Sequence, residues 1–123
     1  MIHPIQNQAH QLTEHINMLL ESTSRLDDNL RDKLGKVSRK MSDFMTEFDN
    51  HLVLSAEEFT SYLNHDALSP LTIVLGYAEL FRTIHAHLLT SQEIELINGI
   101  CNMLRTLTES IRNERDFMVA RRG

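Results

Sequence analysis

Apolar and small side chains recur along most of the chain in alternating steps of four and three. Ile5, Ala9, Leu12, Ile16, Leu19, Thr23, Leu26 and Leu30 keep this rhythm. One extra step of four leads to Leu34, and Val37, Met41, Phe44 and Phe48 continue it. The rhythm returns at Leu63, Ala67, Pro70, Val74, Tyr77, Phe81, Ile84 and Leu88. Such spacing lays one apolar stripe along an α-helix and suits helices packed lengthwise. The extra step is a stutter, which unwinds a seam locally without ending it. Only two prolines and four glycines interrupt 123 residues. The expected fold is all-α.

Local signals divide the stripe into helices. Pro4 suits a first helical turn, and residues 4 to about 50 read as helical. Ser22-Thr23-Ser24 and Gly35 are the weak points there, so one rod and an antiparallel hairpin both stay open. Ser55 with Glu58 fits a capping box, starting a helix expected to run to about His87. Thr90 with Glu93 forms a second capping box, and a last helix follows to about Ala120. That helix carries Ile94, Ile97, Cys101, Leu104 and Ile111 on one line and Leu96, Ile100, Met103, Leu107 and Phe117 on the next. Two adjacent apolar lines imply more than one helical neighbour, as in a four-helix bundle. The chain thus divides into an N-terminal helical or coiled-coil region, 1–54, and a helical hairpin, 55–123.

Phe59 to Phe81 stands apart, because it holds a proline inside a helical pattern with a histidine five residues earlier. With Leu63 taken as heptad position d, His65 falls at f and points to solvent. Pro70 has no N–H to give the carbonyl of Asp66. The helix should therefore kink at Pro70 and leave that carbonyl free. A neutral imidazole keeps a free ring nitrogen near neutral pH, and a neighbouring carboxylate can orient the ring or take its proton. A surface histidine beside a harmless kink is the bland alternative. Leu68, Leu71 and Leu75 lie beside the His65 face rather than on the seam. They are covered either by the N-terminal helix or by a docking partner.

Asn64-His65-Asp66, then Ser69-Pro70-Leu71-Thr72, then Gly76-Tyr77-Ala78-Glu79-Leu80, resembles the H-box of sensor histidine kinases. That box belongs to their dimerisation and histidine-phosphotransfer domain, and Phe59 sits at its expected place. The resemblance implies that His65 accepts a phosphoryl group and that Asp66 assists it. Ser69 takes the Thr or Asn position that orients water when such domains dephosphorylate a receiver. Leu68, Thr72 and Leu75 become partner-binding candidates. It further implies a homodimeric four-helix bundle in which each chain donates a hairpin, here residues 55–120. The family's Leu-Arg after the acid is Ala67-Leu68 in this chain, so a cation beside the histidine is missing.

Other chemistries find little support. A net charge of −5 argues against a nucleic-acid partner, which needs a basic face. No apolar run reaches the length of a membrane span, and the N-terminus lacks a signal-peptide pattern, so the cytoplasm is expected. Cys101 is the single cysteine and reads as a small core residue. His85 and His87 are two apart and point away from each other on a helix, and His10 and His15 are poorly spaced, so no metal site is expected. Gly35, Gly76, Gly99 and Gly123 are isolated, so there is no Gly-rich phosphate loop and no route to autophosphorylation from ATP.

The functional expectation is a stand-alone phosphorelay module. His65 would exchange a phosphoryl group with the aspartate of a response-regulator receiver domain, or take it from a separate histidine kinase. No cofactor of its own is expected, since the receiver supplies Mg²⁺ and an acidic pocket. Two other readings stand beside it: a dimerisation or binding module that lost the chemistry, and a fragment of a longer kinase.

Overall fold

The computed structural model describes residues 3–122, among which every regular element is helical. In chain order these are α1 (Pro4–Ser22), α2 (Asp28–Leu52), α3 (Ala56–His65), α4 (Leu68–Arg82), a 3-10 turn at Ala86–Leu88, and α5 (Ser91–Arg122). Residues 4–50 are therefore two helices. The chain breaks at the Ser22-Thr23-Ser24 weak point and passes Gly35 without interruption. Thr23 ends α1 with its hydroxyl 2.8 Å from the Leu19 carbonyl, a local bond that competes with continued helix. Asp27 then caps α2 by accepting the Leu30 N–H at 2.9 Å. The stutter at Leu30–Leu34 sits inside α2, where both residues are buried.

The starts of α1, α3 and α5 follow their caps. His3 caps α1, its Nδ1 accepting the Ile5 N–H at 3.1 Å while its own N–H donates to Gln6 Oε1 at 2.9 Å. Ser55 Oγ accepts the Glu58 N–H at 3.2 Å and opens α3. At α5 the box is reciprocal. Glu93 N–H donates to Thr90 Oγ1 at 3.2 Å, and Thr90 N–H donates to Glu93 Oε1 at 2.9 Å. Helix α5 runs slightly past the expected Ala120.

Short connections turn the rods back on each other, and they pack side by side in a ring. α1 lies against α2 and α5, and α4 lies against the same two helices, with α3 completing the α4 rod. One continuous core runs through all of them. One layer of it is aromatic: Phe48 meets Phe44, Phe59 and Tyr62 at centroid distances of 5.8, 5.7 and 6.4 Å. That layer packs on α3, whose Tyr62 lies one turn before the junction with α4.

The helix expected to run from Ser55 to about His87 is instead two helices, and α4 already ends at Arg82. The stripe slips accordingly. Leu63, Ala67, Val74 and Phe81 are buried as expected, but Pro70 and Tyr77 are only half-buried, and Ile84 and Leu88 are exposed. Leu71 and Ala78 fill the core in their place. The interruption after His65 turns α4 about its axis relative to α3, so the stripe of α4 begins one residue later than a continuous rod would have it. Leu71, expected beside the His65 face, is for that reason 1% exposed. Phe117, placed on the second line of α5, is 55% exposed, and among the described residues none beyond Ile111 is buried.

Candidate functional site around His65

His65 is the last residue of α3, and Asp66 is its C-cap. The Tyr62 carbonyl accepts two N–H groups, from Asp66 at 2.9 Å and from Ala67 at 3.0 Å. This widened closure ends the helical ladder. Pro70 explains why it does not resume at once, for its ring crowds the carbonyl four residues back and offers it no donor. That carbonyl, of Asp66, is not left free as the sequence suggested. It turns to the Ser69 N–H at 3.3 Å. Pro70 then occupies the first turn of α4, where its missing donor leaves no helical bond unmade.

The break sets His65, Asp66 and Ser69 in solvent, while Ala67 between them is fully buried. Ala67 anchors the turn to the core and the residues around it project outward. Among the described residues neither the His65 ring nor the Asp66 carboxylate has a hydrogen-bond partner, and the two do not bond each other. The imidazole thus presents its ring nitrogens to water. The Thr72 hydroxyl is committed to the Leu68 carbonyl at 3.0 Å, so its methyl group is what remains for contact. Leu68 and Leu75 are half-buried against the core. Position 68, read from the sequence as the place of a missing cation, therefore holds a packing leucine.

Two features of this surface were not read from the sequence. Ile73, one turn beyond Ser69 on the same side of α4, is 41% exposed. On the other side of the junction the His51 ring of α2 stacks on Tyr62 at 4.1 Å and 10°. His51 Nδ1 lies 2.7 Å from the Glu47 carbonyl, which assigns the ring proton to that nitrogen. The Tyr62 hydroxyl is pushed up from its ordinary pKa, first by burial and then by the Glu47, Asp66 and Asp49 carboxylates. His51, Leu54, Glu58, Ser61, Tyr62 and Asp66 line a shallow open groove that ends at the junction. A pairing of α2 with α3 across their connecting turn is what makes this stack, and periodicity carries no sign of it.

Elsewhere, Glu79 is held by Arg82 and by Arg105 of α5, which keeps its carboxyl below the ordinary range, chiefly through the Arg82 bond. Cys101 is buried, and burial pushes its thiol up. Among the described residues no group of three or more His, Cys, Asp and Glu side chains is placed to hold a metal ion. No helix among them is long and apolar enough to cross a membrane.

Comparison with protein-family models, with curated proteins and with solved structures gave no match.

Proposed function

We propose that the protein is a phosphorelay module in which His65 receives a phosphoryl group from a receiver-domain aspartate and passes it on. The observation that carries this reading is the placement of His65: a solvent-facing imidazole at a helix break, inside the ordered run Asn64 to Leu80 that resembles an H-box. A ring nitrogen attacks the phosphorus of the aspartyl phosphate. The N–P bond forms as the P–O bond to the aspartate breaks, and the carboxylate leaves. The proton lost from the ring goes to water or to Asp66. The charge on the transferring group is met by the Mg²⁺ of the receiver, so this chain supplies a reachable nucleophile and a docking face.

The H-box family closes its four-helix bundle from two hairpins on two chains. Here α1 and α2 pack on α5 and α4 and share one core with them. We read this as a bundle closed within one chain, in which a homodimer is not required to cover the hairpin's apolar face. A light-scattering mass of one chain agrees with this, and a mass of two restores the family arrangement.

The test is transfer of label. Incubation with phosphorylated receivers should place one acid-labile phosphoryl group on the protein, and His65→Gln should abolish it. No label from any receiver, or full labelling of the His65→Gln variant, would sink the reading. A second reading, a binding module without the chemistry, draws on Leu68, which packs against the core where the family carries a cation. It predicts that His65→Ala leaves the protein's cellular effect intact.

A further inference from the structure

We infer that the lysine strip of α2 forms the electrostatic half of the surface on which the phosphoryl partner docks. The inference rests on the phosphorelay reading and names the partner's surface chemistry: an apolar contact ringed by carboxylates. Five of the chain's twelve basic residues, including all three lysines, fall between Arg31 and Lys40, against a single acid, Asp32. The chain as a whole carries −5. Lys36 lies 3.7 Å from Asp32 one turn away. Among the described residues, Arg31, Lys33, Arg39 and Lys40 pair with no carboxylate. An acidic protein that gathers five cations within ten residues and leaves four of them unpaired keeps a positive field on that stretch of α2, although Asp28, Asp43, Glu47 and Asp49 balance it over the whole helix.

Two contacts show which way the strip faces. On one flank of α2, Met45 Sδ receives the Thr13 hydroxyl of α1 at 3.1 Å. On the other flank, His51 stacks on Tyr62 of α3. Lys40 lies eleven residues before His51 and Lys33 eighteen, about three and five helical turns. Both therefore fall on the flank that faces the α3–α4 rod, and both are half-buried. Lys36, Arg39, Lys40, Ser42 and Asp43 line a shallow groove on the adjoining outward face.

Helix α2 runs antiparallel to that rod. With His51 opposite Tyr62, Lys40 stands roughly level with Ile73, about 12 Å along the rod from His65. An interface of ordinary size, about 800 Å² per partner, spans that distance. The face then combines a nucleophile, an exposed isoleucine beside Ser69 and Thr72, and a cationic border from another helix. A receiver with carboxylates on the rim of its apolar contact, away from the pocket that meets His65, complements it. Complementary charge of this kind acts mainly on encounter, so its signature is a rate that depends on salt.

The experiment measures phosphoryl transfer from a phosphorylated receiver at low and high salt. Lys36→Glu/Lys40→Glu should lower kcat/KM roughly tenfold at low salt and flatten its salt dependence. Lys36→Arg/Lys40→Arg should restore both. Arg121→Glu/Arg122→Glu, which makes the same charge change at the end of α5, should alter the rate less than twofold. Thermal melts of all variants separate misfolding from lost docking. Salt-insensitive transfer by the wild type, or an unchanged rate in the reversed variant, overturns the inference and leaves the phosphorelay reading in place. So does lysine-dependent binding of duplex DNA or anionic vesicles in the same concentration range, which assigns the strip to another partner. Phosphoramidate gives a separate check on His65: no label from it or from any receiver removes the phosphorelay reading, and this inference with it.

Discussion

Arg25 and Glu93 close a two-pronged ion pair between the α1–α2 turn and the first turn of α5, with nitrogen–oxygen distances of 2.5 and 2.7 Å. Glu93 is fully buried. Its remaining bonds come from the Ser22 hydroxyl at 2.5 Å and the Thr90 N–H at 2.9 Å. Arg25 also donates to the Leu88 carbonyl at 3.0 Å. One carboxylate thus ties the end of α1 and the α1–α2 turn to the start of α5, two segments far apart in sequence, and it does so with both oxygens satisfied.

The clamp makes stability depend on acid. Bonds from Arg25, then those from Ser22 and Thr90, outweigh the cost of burial and hold the Glu93 carboxyl at about 2 instead of 4.5. A depressed folded pKa contributes stability that is fully present above about 4.5 and is lost as pH falls toward 2. Urea midpoints should therefore drop steeply across that window. Glu93→Gln should be less stable by about 1–3 kcal/mol at pH 7 and show a shallower acid limb. Equal acid limbs in the two proteins would contradict this account.

His65→Ala should separate function from folding. The ring is exposed and bonds to no described residue, so its loss should change unfolding free energy by less than about 0.5 kcal/mol. Phosphoryl label should vanish in the same variant. A large loss of stability measured by urea unfolding would instead give His65 a structural role.

Gly76 faces open space on the exposed side of α4, and a Cβ added there meets nothing within 4 Å. Its helix pays the flexibility of glycine without using it for a turn. Gly76→Ala should raise stability by about 0.5–1 kcal/mol, read as a higher thermal midpoint.

Phe48 is 1% exposed at the centre of the aromatic layer, and the His3 ring also meets it edge-on at 5.5 Å. Phe48→Ala should cost about 3–5 kcal/mol. Because that layer packs on α3, amide exchange in α3 up to His65 should accelerate more than exchange at the Glu93 end of α5.

How much of this was legible beforehand differs from element to element. The caps at Ser55 and Thr90 and the buried stripe of α2 follow from local rules, because a cap needs only the next three residues and a stripe only helical periodicity. The solvent exposure of His65 was also readable, from its heptad position. The exposed core-rim residue Ile73 and the buried Leu71 were not. Their exchange depends on the two-residue break after His65, which rotates one helix against another and cannot be seen in a pattern that assumes one straight rod.

The chain itself thus determined that it would be helical, where α1, α3 and α5 begin, and that the His65 imidazole stands in water, since these are settled mainly by near neighbours in sequence. Packing alone decided that α1 and α2 return to cover α4 and α5, and that Arg25 meets Glu93. It likewise decided that His51 stacks on Tyr62, which orients the lysines of α2. Each of these joins residues many turns apart in sequence, and only the burial of shared apolar surface brings them together.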